Sequence, residues 1–102
     1  MYARNVALQL KPNTAAEFNK TFASDILPLL RKQNGFTDEI TFVDPNGRDA
    51  VAISLWDRKE SADRYNSDTY PQVLKDLAKV VDGTPVVHSY EVGMSTFHKI
   101  AN

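Results

Sequence analysis

The chain has 102 residues, 42% of them hydrophobic and 25% charged, with a formal net charge of -1. That is enough for one domain, residues 1–102, with its own core. The balance gives no electrostatic basis for binding nucleic acid or an anionic membrane, and the lack of cysteine excludes disulfides, thiolate catalysis and cysteine-held metals.

The first ten residues, MYARNVALQL, place Arg4, Asn5 and Gln9 among apolar positions, so they lack the apolar core of a signal peptide. No stretch nears the length of a membrane span, and a cytoplasmic protein is expected. From Arg4 to Lys11 the pattern alternates: Val6, Leu8 and Leu10 on one face, Asn5, Ala7 and Gln9 on the other. That is the period of a strand, stopped by Pro12. Asn13 or Thr14 is placed to cap the next helix, with Glu17 completing a capping box. Ala15, Phe18, Phe22, Ile26, Leu29 and Leu30 then recur at helical spacing. Pro28 lacks the amide that would reach the Ser24 carbonyl, which predicts a kink or break near Asp25. Asn34-Gly35 stops the helix.

Phe36 to Asp44 reads as the second strand and Ala50 to Trp56 as the third, joined by the turn Asp44-Pro45-Asn46-Gly47-Arg48 into an antiparallel hairpin. Asp57 and Glu60 have capping-box spacing for a helix to about Asn66. Ser67-Asp68-Thr69 is placed to cap a further helix, with Pro71 in its first turn. That helix carries the stripe Tyr70, Val73, Leu74, Leu77 and Val81 and ends at Asp82-Gly83. Thr84 to about Phe97 reads as a long last strand interrupted at Gly93.

The order β-α-β-β-α-β predicts an α+β, ferredoxin-like fold: an antiparallel four-stranded sheet with its helices on one face. Neither face of strands one and three carries the charge expected of a wet surface. Both faces are therefore expected to be covered, one by helices and one by a second copy, giving a homodimer about a two-fold axis.

This order of elements, the Asn34-Gly35-Phe36 junction, the Leu55-Trp56 strand end and the helix from Ser61 to Tyr65 resemble the antibiotic biosynthesis monooxygenase family, over about Asn5 to Val92. The resemblance implies a dimeric α+β barrel with a pocket between sheet and helices in each subunit. It implies oxidation of aromatic polyketides, quinols or phenols by molecular oxygen, with no metal or flavin cofactor. Other members degrade haem or isomerise small sugar-derived signals. In the haem-degrading branch a pocket asparagine matches Asn5 and a pocket tryptophan matches Tyr65. The haem-ligating histidine falls at about Lys75, whose ammonium cannot ligate iron, so haem degradation is rejected as the leading reading.

Cofactor-free oxygenation needs a proton acceptor, a donor for the developing oxyanion and a dry, aromatic-lined pocket. Asn5 is the candidate donor and His88 the candidate base. Trp56, Tyr65 and Phe22 are the candidate substrate-binding side chains. Each has a plainer reading: Asn5 satisfies a strand end, Trp56, Tyr65 and Phe22 pack the core, and His88 is structural or interfacial. His88 and His98 do not form a metal site, and His98 receives no role. The face with Ala52, Ser54 and Trp56 is expected to look toward the helices together with Asn5, leaving Val51, Ile53 and Leu55 for the dimer. The favoured function is a cofactor-independent monooxygenase acting on a small aromatic, quinol or polyketide-like substrate. The alternatives are a non-catalytic, ligand-binding or stress-related dimeric barrel, and an isomerase or lyase using His88.

Overall fold

The computed structural model describes residues 1–45 and 47–97. Asn46, in the expected turn, and His98 lie outside the described residues. Strand β1 (Tyr2–Leu10) leads into a continuous helical segment in three parts: α1 (Ala15–Thr21), a π-helical turn (Phe22–Ile26) and α2 (Leu27–Arg31). The hairpin β2 (Phe36–Val43) and β3 (Asp49–Trp56) follows, then α3 (Lys59–Asp68), α4 (Tyr70–Leu77) and β4 (Val81–Glu91). The strands form one antiparallel sheet in the order β2-β3-β1-β4, the ferredoxin-like α+β arrangement.

Pro28 shapes the first helical segment as its chemistry requires. The ring would crowd the Ser24 carbonyl, and the helix widens instead: the Leu27 amide donates to the Phe22 carbonyl, one residue further back than in an α-helix. Pro28 then sits in the first turn of α2, where no amide is needed. This segment buries Phe18, Phe22, Ile26 and Leu30 against the sheet.

The register decides which sheet face the helices cover. Val6 pairs with Ala52 and Leu8 with Ala50, and these residues are buried in the core. Arg4, opposite Ser54, and Tyr2, opposite Trp56, share their parity. Asn5 pairs with Ile53 on one side and His88 on the other, on the face away from the helices. Ala52, Ser54 and Trp56 do face the helices, as expected, but their partner from β1 is Arg4 and not Asn5.

Several local expectations are corrected. Thr14 occupies the cap position of α1 but makes no side-chain capping bond; its hydroxyl donates to the carbonyls of Lys11 (2.7 Å) and Val80 (3.3 Å), tying the helix start to the start of β4. Asp57 holds the start of α3 by accepting from the Ser61 hydroxyl at 2.6 Å, with no capping box to Glu60. Ser67 and Asp68 belong to α3 itself, and Thr69, the cap residue of α4, makes no side-chain capping bond. Helix α4 ends at Leu77, not Gly83, because Val81 already pairs with Leu10. Gly83 lies in a bulge, where the register jumps from Gln9–Asp82 to Ala7–Val86. The last strand stops at Glu91, well short of Phe97.

Gly35 is the tightest junction. Its φ is 85°, and an added Cβ would stand 2.3 Å from Asp57 Oδ1 and 2.4 Å from Ser61 Oγ. Its carbonyl accepts from the Asp57 amide at 2.8 Å. Gly83 also has positive φ, 70°, but opens onto free space. Gly35→Ala is expected to destabilise the fold by about 3 kcal/mol, strain and collision together. Gly83→Ala is expected to cost about 1 kcal/mol from strain alone. Urea unfolding of the two variants checks both values.

Candidate functional site

Between the sheet and the helices lies a cavity of about 20 Å³, bordered by Arg4, Glu39, Tyr65, Tyr70 and Phe22 among apolar neighbours such as Val6 and Leu77. That volume holds about one water molecule. Phe22 and Glu39 also border a neighbouring surface cleft of about 280 Å³, shared with Asn19, Ala23, Leu27 and Thr41. These two side chains form the wall between cleft and cavity.

Arg4 is the principal charge of the site. It comes from β1, on the face that otherwise carries Val6, Leu8 and Leu10, and is only 4% exposed. Its Nη1 donates to Asn66 Oδ1 at 2.9 Å. Its guanidinium carbon lies 5.3 Å from the Tyr65 ring centre and 4.6 Å from that of Tyr70, within cation–π range of both. Its Nε and Nη2 have no protein partner. Burial pulls the guanidinium below its ordinary pKa, against the electrostatic influence of Tyr65, Tyr70, Asp63 and Glu39. Arginine nonetheless stays charged in proteins.

Glu39 enters from β2 at the position opposite Ser54. Burial raises its pKa to about 9, partly offset by the Arg4 charge, so at neutral pH it is a carboxylic acid. Its Oε2 is buried without a protein partner, and so is the Tyr70 hydroxyl. Burial also pushes the Tyr65 and Tyr70 phenols up, so both stay protonated.

The aromatic side chains form a connected series. Phe36 meets Trp56 edge-on at 5.6 Å, Trp56 lies 5.0 Å from Tyr65, and Tyr65 lies 6.0 Å from Tyr70. Trp56 is fully buried, and its indole donates to Ser54 Oγ at 2.9 Å.

Of the residues singled out from the sequence, Phe22 and Tyr65 border the cavity. Trp56 does not; it supports Tyr65 from behind. Asn5 and His88 are corrected as pocket residues, because they face each other on the opposite side of the sheet. The residues missed were Arg4, Glu39 and Tyr70. Arg4 carried a signal, a charge at the parity of Val6, Leu8 and Leu10. Glu39 carried none, because β2 alternates the other way: Ile40 and Phe42 are exposed while Glu39 turns inward.

No protein-family profile and no curated protein sequence matches the chain. Solved structures do. SnoaB, a cofactor-independent oxygenase from Streptomyces nogalater, superposes with a TM-score of 0.76 at 14% identity, over 93% of this chain and 95% of that one. The monooxygenase ActVA-Orf6 of Streptomyces coelicolor, solved with nanaomycin D, gives 0.76 at 14% identity, over 92% and 88%. A Deinococcus radiodurans protein provisionally named an antibiotic biosynthesis monooxygenase gives 0.74 at 16% identity, over all of both chains. The fold is that of the antibiotic biosynthesis monooxygenases. Within this fold the cavity lies between sheet and helices. Among the described residues no helix is long and apolar enough to cross a membrane, and no cluster of side chains is suited to a metal ion.

Glu39 makes stability depend on pH. Its carboxyl titrates at about 9 in the fold and near 4.5 when unfolded, so between these values the folded state holds a proton that the unfolded chain has lost. Stability therefore falls as pH rises through this window. Glu39→Gln is expected to stabilise the fold by on the order of 2 kcal/mol near neutral pH, with the gain shrinking toward about pH 4. Urea midpoints across pH measure it.

Proposed function

We propose that the chain is a cytosolic, cofactor-independent monooxygenase acting on a small aromatic, quinol or polyketide-like molecule. The observation that carries this reading is the buried Arg4, held over two tyrosine rings at the polar end of an apolar cavity. In such oxygenation the substrate anion itself passes an electron to molecular oxygen, so no metal or flavin is needed. The protein's task is to stabilise that anion and exclude water. Arg4 supplies the positive charge, the rings of Tyr65, Tyr70 and Phe22 supply a surface for a flat substrate, and the apolar walls keep the site dry. The cofactor-independent oxygenase SnoaB, which shares the fold, supports the reading.

A substrate enters from the cleft of about 280 Å³ when the Phe22 side chain moves aside, since Phe22 borders both spaces. The second reading, a ligand-binding protein without turnover, is favoured by one observation: the cavity itself has room for about one water. The isomerase reading loses its base, because His88 lies on the far side of the sheet.

Oxygen uptake with a panel of hydroquinones and anthrones separates the two. Turnover is expected, and Arg4→Met is expected to lower kcat/KM by about a hundredfold, with a smaller loss in Arg4→Lys. A folded protein that consumes no oxygen above background with any of them favours the binding reading.

We further propose that two chains pair through the outer sheet face. Ile40, Phe42, Val86 and Tyr90 are each at least half exposed there, around Val51, Ile53 and Leu55. Patches of this kind mark interfaces. Asn5 and His88 then lie between the subunits. Light scattering at micromolar concentration is expected to give twice the chain mass, and Phe42→Lys is expected to shift it toward the monomer. A monomeric mass for the unaltered chain rejects the pairing.

A further inference from the structure

Among the described residues, the buried side-chain atoms without a protein partner are Arg4 Nε, Arg4 Nη2, Glu39 Oε2 and the Tyr70 hydroxyl. All belong to residues bordering the one cavity. Buried polar groups are normally satisfied, so this concentration calls for a common explanation. Arg4 and Glu39 do not satisfy each other: the ion pairs formed among the described residues are Arg48–Asp82 and Lys59–Asp63.

We propose that Arg4, Tyr70 and Glu39 together hold one anionic oxygen, and that the ligand is a flat acid already ionised in water: the electron-rich enol of a 1,3-dicarbonyl as substrate, with a hydroxyquinone as its unreactive mimic. This rests on the cavity and function proposed above and names the substrate class.

Arg4 and Tyr70 both present free donors. Glu39 adds a third while its carboxyl is neutral, which burial favours up to about pH 9. A buried carboxylic acid kept neutral is an effective donor to an oxyanion. The groups facing Glu39 are Arg4 from β1, Tyr65 from α3 and Tyr70 from α4; the helical segment contributes Phe22 and Leu30, which do not titrate. At neutral pH the cavity lining therefore carries the Arg4 charge with no lining carboxylate against it; Asp63, which acts on Arg4 from outside the lining, is paired with Lys59, and the ligand supplies the negative charge. The same groups leave the site without a base. Two phenols, a guanidinium and a neutral carboxyl do not take a proton from a plain phenol. The proton must leave to solvent before binding, its electron pair remaining on the substrate oxygen. That requirement favours vinylogous acids, ionised at neutral pH, over simple phenols such as hydroquinones, of which only the small ionised fraction binds.

The probe is a hydroxynaphthoquinone, ionised at neutral pH, compared with its uncharged methyl ether. Trp56 is the only tryptophan and touches Tyr65, so its fluorescence reads occupancy without turnover. The acid is expected to bind about tenfold or more tighter than the ether, as a charge-assisted contact requires. Its affinity is expected to fall above about pH 9, where Glu39 ionises and repels it. In Glu39→Gln, which cannot ionise, that alkaline fall disappears; in Arg4→Met the preference for the acid is lost. Equal affinity for acid and ether overturns the proposal, as does an alkaline fall that persists in Glu39→Gln. Binding with this pattern but without oxygen uptake supports the anion site and rejects only the oxygenase reading.

Discussion

A guanidinium withdrawn from water is the constraint around which the helical side of this protein is arranged. The desolvation of one such ion costs several kcal/mol, and the chain offsets it from three directions. Asn66 accepts from Nη1, and the rings of Tyr65 and Tyr70 face the cation. These groups come from α3 and α4, so the junction between those helices is held over the first strand. The support continues outward through Trp56 and Phe36 to Gly35, where strand β2 begins against Asp57 and Ser61. A charge at one end and a glycine at the other thus frame one run of aromatic packing.

The two faces of the sheet divide the work. The inner face carries the core and the cavity, and Arg4 and Glu39 are the ionisable sheet residues that border that cavity. The outer face carries exposed apolar side chains on both edge strands. The wall between cavity and cleft falls at the π-helical turn, the one part of the first helical segment with looser geometry. Phe22 stands at its start, where a widened turn gives a side chain more latitude than a regular helix does.

The fold was legible because it rests on periodicity. Alternation in β1 and β3, helical spacing from Ala15 to Leu30, and breaks at Pro12, Gly35 and the Pro45 turn follow from short-range chemistry. Pro28 marks an irregularity near Asp25, expected as a kink or break and formed as a widened turn. The boundary between α4 and β4 was not legible, because Val81 continues the helical stripe and joins the sheet only through its distant partner Leu10. The site was half legible for the same reason. Phe22 and Tyr65 lie on strong stripes. Asn5 matches the family's pocket asparagine, yet strand parity sends it outward while its neighbour Arg4 turns in. Glu39 was hidden because β2 shows its apolar side chains outward, against the usual expectation.

The strand order has a consequence for how the chain is made. Strand β1 is synthesised first yet ends at the centre of the sheet, with Ala3 between Leu55 and Tyr90. Until β3 and then β4 leave the ribosome, both of its edges stand open. Pairing over such sequence distances is slow, and exposed strand edges invite association with other chains. The native sheet is therefore complete only once β4 is available, and Arg4 is enclosed no earlier than α3 and α4, which supply Asn66, Tyr65 and Tyr70.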